Sequence, residues 1–123
     1  MPVTVKITVD DLCLDAEFFD TQCAGAIVDA LPLEARPNRW GDEFYFDVPI
    51  DMPPDETATV RVKAGEIGYW PPGNALAIFF GPTPMSSGLD PVPASEVNIV
   101  GRITGDFTAL RKCRDAGLIK LCL

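Results

Sequence analysis

The sequence predicts a mainly β protein: a closed, mostly antiparallel barrel of eight short strands with two short helices. Two observations carry this expectation. Short alternations of apolar and polar residues recur along the chain, separated by Gly, Pro, Asn and Asp turn signals, which is the pattern of a barrel or sandwich. Two segments, near 20–31 and 106–116, change instead to helical spacing. Helices favour the barrel over the sandwich, because an eight-stranded barrel fills its interior with its own side chains and leaves its mouths to be covered. With no internal repeat and no linker, the 123 residues read as one domain spanning 1–123.

The elements follow in order. Val3, Val5, Ile7 and Val9 alternate with Thr4, Lys6 and Thr8, a half-buried strand, and Asp10-Asp11 turns it into a hairpin partner carrying Leu12, Leu14, Ala16 and Phe18. Asp20 is the expected cap of a helix whose Ala24, Ile27, Val28 and Leu31 share one face, and Pro32 ends it. A loop through Arg36-Pro37-Asn38-Arg39 leads to a strand over 43–48, with Phe44, Phe46 and Val48 inward and Glu43, Tyr45 and Asp47 outward. After the turn at Met52-Pro53-Pro54-Asp55 comes a short strand over 58–62, with Val60 and Val62 inward.

Strands over 67–70 and 75–80 are joined by Pro71-Pro72-Gly73-Asn74, with Tyr69 and Trp70 anchoring that turn. The loop 81–95 is long for a structureless connection, which marks it as functional or mobile. A strand over 97–103 precedes the second helix, capped by Asp106 and stopped by Gly117. Leu118–Leu123 reads as a closing strand with Ile119 and Leu121 inward.

Charge and composition narrow the function. A net charge of −8 argues against nucleic acid, which needs a concentrated basic surface. The one basic cluster, Arg111, Lys112 and Arg114, fits the cationic end of the second helix. No apolar run approaches the ~20 residues of a membrane span, and the N-terminus lacks a signal-peptide core, so a soluble, cytoplasmic protein is expected. Cys13, Cys23, Cys113 and Cys122 form no CxxC pair and are expected as free thiols in that compartment; Cys23 and Cys113 fall on apolar helix faces as small hydrophobes. No metal and no cofactor are expected. The absence of histidine removes Ser-His-Asp and Cys-His pairs and imidazole acid–base catalysis.

Most of the eleven aromatic residues lie in two windows, WGDEFYFDVP over 40–49 and GEIGYWPPGNALAIFFGPTP over 65–84, each rich in Gly or Pro. A packed core does not need so many prolines around its aromatics, whereas a rigid apolar groove does. Phe44, Phe46, Ile78 and Phe80 read as core from their alternation. Trp40, Tyr45 and Phe79 either line a ligand groove or pack beneath the 81–95 loop. Glu43 is placed to hydrogen-bond a ligand amide or the Trp40 indole, or else to sit solvated at the strand start. Thr83, between Pro82 and Pro84, presents its hydroxyl in a fixed direction or simply stiffens a turn.

These two windows, in this order, resemble the cyclophilin-like barrel, and most closely its small microbial branch, whose members carry similar WG-x-E-x-Y-F and FFGPTP runs. The resemblance implies a packed barrel with a groove on its outside, bordered here by Trp40, Glu43, Tyr45, Phe79 and Thr83, for a small molecule or a proline-containing extended peptide. It also raises a weak peptidyl-prolyl isomerase and a non-catalytic interaction subunit as alternatives. Prolyl isomerisation must lower a barrier of ~18–20 kcal/mol and needs only an apolar slot and a donor to the prolyl nitrogen. The family's Arg-Val-Ile-Pro run and the Gln after it are absent, which leaves Arg39 and Arg36 as the candidate donors. Oligomeric state is left open by the sequence.

Overall fold

The fold grows outward from its N-terminal hairpin. The computed structural model describes residues 2–113 and 115–123. Strands β1 (Val3–Val9) and β2 (Leu12–Phe18) pair antiparallel from Val3↔Phe18 to Val9↔Leu12, so the alternation buries Val5, Ile7, Val9, Leu14, Ala16 and Phe18 on one face. Asp10 turns the hairpin at φ +51°, a conformation that Asp tolerates better than most residues. Its Oδ1 accepts hydrogen bonds from Gly117 N (3.1 Å) and Leu118 N (3.2 Å), which steers the C-terminus into the sheet.

The remaining strands are β3 (Leu33–Ala35), β4 (Asn38–Arg39), β5 (Glu43–Asp47), β6 (Glu66–Trp70), β7 (Ala75–Phe79), β8 (Asn98–Ile103) and β9 (Ile119–Cys122). They form one sheet ordered β3-β9-β1-β2-β8-β6-β7-β5-β4, with every pairing antiparallel. Helix α1 (Gln22–Asp29) adds Cys23, Ala24 and Ile27 to the core. The concave face is filled by side chains from β1, β2 and β5–β9 together with Leu110, including Phe18, Phe44, Phe46, Tyr69, Ile78 and Phe80. Burying each large apolar side chain contributes ~1.5–3 kcal/mol.

The closed eight-stranded barrel is corrected to an open half-barrel of nine strands. The sheet ends at β3 on one side and β4 on the other, with no ladder between them. Only Arg36 and Pro37 separate these two strands, so the edges cannot be more than ~11 Å apart along the chain. Pro37 has no N–H to give a ladder and restricts the residue before it, which leaves the seam open. The count changes at three places. The expected strand over 58–62 is reduced to a single bridge, Thr59↔Val97, with Val62 buried but Val60 exposed; β4 stands where the loop through 36–39 is expected, and β3 is a strand with no sequence expectation. Two or three residues between prolines cannot display an alternation.

The helices also differ in detail. α1 is capped by Thr21, whose Oγ1 accepts from Ala24 N at 3.1 Å, rather than by Asp20. The second helix is a 3₁₀ helix over Phe107–Lys112, shorter than the 106–116 expected. Asp106 does cap it, accepting from Thr108 N at 3.1 Å. Arg111 and Lys112 occupy its last turn, and Arg114 lies outside the described residues. Gly117 does not stop this helix, which ends at Lys112 with Cys113 as its C-cap; the Gly117 amide donates to Asp10 instead.

The proline-rich segment before β6 is tied down by polar hooks instead of a ladder. Tyr69 donates to Ile50 O at 2.6 Å and accepts from Met52 N at 3.1 Å. Buried Asn98 accepts from Asp55 N at 2.9 Å and donates to Pro53 O at 3.0 Å. Among the described residues no helix is long and apolar enough to cross a membrane.

Candidate functional site

Cross-strand partners share a face of the sheet, so register alone identifies what stands on the convex side. Glu43 pairs with Phe79, Tyr45 with Ala77 and Asp47 with Ala75; Gly68 and Trp70 of β6 face Ala77 and Ala75 in turn. The row is bulky at its margins and small in its middle. Gly68, Ala75 and Ala77 therefore leave a depression, and a second apolar cluster of Val62, Ala77, Phe79 and Val97 packs beside it.

Gly68 has a steric reason to be glycine. A Cβ there would lie 2.8 Å from Val97 Cγ2 and 3.4 Å from the Phe79 ring. The pairing of β6 with β8 slips at Ile67/Gly68, a bulge next to the depression.

The depression is a cavity of about 280 Å³, lined by Trp40, Glu43, Tyr45, Trp70, Phe79 and Pro93 among others. Its volume lies just below the usual range of small-ligand pockets, ~300–1,000 Å³. The two tryptophans are fixed by separate interactions. The Trp70 indole donates to Ser95 Oγ at 2.7 Å, and its ring lies against Gly73, where a Cβ would be 2.6 Å away. Trp40 sits in the tight turn between β4 and β5, its amide donating to Glu43 O at 2.9 Å.

That turn is also where the two aromatic windows lock together. Gly41 has φ +62°, and a Cβ on it would strike Pro84 and Thr83 at 2.9 Å. Asp42 N donates to Pro82 O at 2.8 Å, and Phe80 N donates to Asp42 O at 2.9 Å. The Gly-Pro-Thr-Pro run is thus the buttress behind Trp40-Gly41.

Glu43 is the unusual residue of the site. It is only 6% exposed, and its Oε1 is buried with no hydrogen-bond partner among the described residues. Burial without a compensating charge pushes its pKa up to about 8. The carboxyl is therefore largely a neutral acid at pH 7. The solvated alternative is overturned, because the Trp40 turn and Phe79 close around the strand start.

Of the five residues expected around a groove, four line this cavity: Trp40, Glu43, Tyr45 and Phe79. Phe79 faces outward as expected but is fully covered, whereas Tyr45 is 37% exposed at the rim. Thr83 is elsewhere. Its hydroxyl is spent inside the 81–95 loop, donating to Val92 O and accepting from Met85 N at 3.2 Å. Pro93 and Ala94, at the far end of that loop, reach the cavity instead.

Neither candidate arginine lines it. Arg39 pairs with Phe44 and so faces the concave side, where its guanidinium lies 5.8 Å from the Phe44 ring and 5.3 Å from the Phe80 ring. It donates to Gly41 O at 2.9 Å and to Asp42 Oδ1 at 3.0 Å. Arg36 is exposed in the link between β3 and β4. Sequence reading also missed Trp70, Ala75, Ala77 and Val97 as cavity residues. The signal was present in β6 and β7, where glycine and alanine alternate with bulky residues on the outward positions.

Among the described residues, no group of three or more Cys, Asp or Glu side chains is placed to hold a metal ion. Cys23 is buried and close to Asn98 Nδ2 (3.6 Å), and burial pushes its thiol pKa up; burial does the same for Cys113.

The cyclophilin-like family model matches residues 3–121. The chain belongs to the cyclophilin-like family. The solution structure of the hypothetical protein AF2241 from Archaeoglobus fulgidus is similar to it, at a TM-score of 0.82 and 32% identity over 98% of this chain and 94% of that one. No curated protein matches the sequence. In this cyclophilin-like protein the concave side is packed solid, so the aromatic cavity lies on the outside of the half-barrel.

Proposed function

We propose that this protein is a binding module that holds a small, mostly apolar ligand in the outer cavity, with one polar group of the ligand meeting Glu43. The observation that carries this reading is Glu43, 6% exposed and with an unpartnered buried oxygen, lining a cavity whose other lining residues are aromatic or small and apolar. An unsatisfied buried polar atom costs ~1–3 kcal/mol, and a ligand that satisfies it recovers that cost while covering the aromatic surface. A proline-containing peptide entering with one apolar side chain is the same chemistry on a longer chain. Binding rather than catalysis is favoured because no guanidinium lines the cavity among the described residues.

The test is an amide-shift NMR titration with a panel of small aromatic and aliphatic fragments and a proline-containing peptide. Shifts should concentrate at Gly68, Ala77, Phe79 and the Trp70 indole. Tyr45→Ala should weaken binding several-fold with an unchanged circular dichroism spectrum, since Tyr45 stands at the rim. A panel that leaves all of these resonances in place would refute the reading.

A further inference from the structure

We infer that the outer cavity selects a small organic cation, an ammonium bearing at least one N–H on an apolar body, which pairs with Glu43 and lies among the rings of Trp40, Tyr45, Trp70 and Phe79. This deepens the binding reading above and rests on it.

Three features separate a cation from a neutral ligand. Glu43 lines the cavity and its Oε1, closed off from solvent, has no partner; once the side chain turns toward a ligand, an ammonium N–H supplies one, and an apolar or quaternary group does not. Four aromatic side chains line the cavity, and their π systems attract a desolvated cation by ~2 kcal/mol or more when one lies over a ring face. Among the described residues no Lys or Arg lines it, so none of them neutralises the carboxylate or repels a positive ligand there. The net charge of −8 biases the approach in the same direction. A neutral donor would collect only the single hydrogen bond, and an anion would be repelled.

The surroundings of Glu43 define how binding responds to pH. Asp47 lies further along β5, Glu66 stands on β6, and Arg102 pairs with Glu66 from β8; none of the three lines the cavity. Asp42 in the adjoining turn is held by Arg39. Tyr45 is the other titratable side chain on the wall, while Phe79, Pro93, Ala94 and Val97 offer no charge.

With its pKa raised to about 8, the free carboxyl keeps its proton at neutral pH, and pairing with an ammonium requires it to leave. The step balances as the ammonium plus the neutral acid giving the ion pair plus one proton released to solvent. Affinity for the cation should therefore fall toward tenfold per pH unit below that value.

The experiment measures Kd by NMR titration of the whole chain with benzylammonium and with benzyl alcohol, its neutral counterpart, at pH 6, 7 and 8. Benzylammonium should bind at least tenfold more tightly than benzyl alcohol at pH 8. It should also bind roughly fiftyfold more weakly at pH 6 than at pH 8, while benzyl alcohol shows no such slope. Glu43→Gln should abolish the slope and reduce the preference to the part the aromatic rings supply. If that variant fails to fold, the pH slope of the natural chain decides alone. Benzyl alcohol binding as well as benzylammonium, or a flat pH response, would overturn the cation proposal. In that case fragment shifts at the cavity would still uphold the binding reading. Silence from every fragment in the panel would sink both.

Discussion

Replacing Glu43 with Gln keeps the shape of the side chain and removes its titration, which makes the burial of this carboxyl measurable as stability. The folded protein holds the Glu43 proton more tightly than the unfolded chain does, with a pKa of about 8 against an ordinary 4.5. The stabilising contribution is therefore complete below about pH 4.5 and is lost as pH rises through about 8. Each pH unit between those values is worth about 1.36 kcal/mol. Between pH 6 and pH 9 the natural chain should thus lose about 2–3 kcal/mol relative to Glu43→Gln.

The window is unusually clean because the sequence contains no histidine, so few other side chains titrate there. Urea unfolding at pH 6, 7, 8 and 9 measures the difference directly, and subtracting the variant's curve removes whatever Cys or the α-amino group contributes. The two proteins should diverge steadily, the variant gaining as pH rises. A difference that stays constant from pH 6 to pH 9 would refute the argument, since it would mean that Glu43 ionises without a desolvation penalty.

Phe46→Ala should cost ~3–5 kcal/mol in the same unfolding assay, because it empties a fully covered position of the concave core. Gly68→Ala should cost ~1–3 kcal/mol and reduce fragment binding, since the added methyl meets Val97 at 2.8 Å and crowds the cavity floor. Alkylation without reductant should modify exposed Cys13 in the folded protein and buried Cys23 only on unfolding, with four adducts by intact mass once the chain is denatured. Early modification of Cys23 would contradict its burial, and fewer than four final adducts would reveal a disulfide or another blocked thiol.

Much of the architecture is written in the chain as alternation, and it is legible where alternation is long enough to see. Seven residues each in β1 and β2 declare the hairpin and its inward face without ambiguity. β3 and β4 have three and two residues, and Pro32 and Pro37 disguise them as loop. Val60 breaks the inward pattern expected of it because its segment holds the sheet by one bridge only, which imposes no face.

The cavity was half visible. Trp40, Glu43, Tyr45 and Phe79 follow from the parity of β5 and β7, but the small residues between them matter as much as the aromatics. Of the two roles the sequence offers Thr83, the structure supports the stiffened turn, because its hydroxyl has partners at Met85 and Val92, which local sequence does not reveal. Nor could sequence show that Arg39 faces inward, since that depends on its pairing with Phe44. The burial of Glu43 likewise arises from strands and loops distant in the chain closing over it.

The sheet is one residue thick, and β5 carries two vocabularies on alternate positions. Phe44 and Phe46 answer to the packed side, while Tyr45 answers to the side that meets the outside world. Neighbours along the chain are thus under unrelated demands, and a change at exposed Tyr45 asks nothing of the hydrophobic packing behind it. Such a half-barrel can vary its convex positions while its cohesion stays put, which makes that wall a natural place to randomise when a binding specificity is to be built.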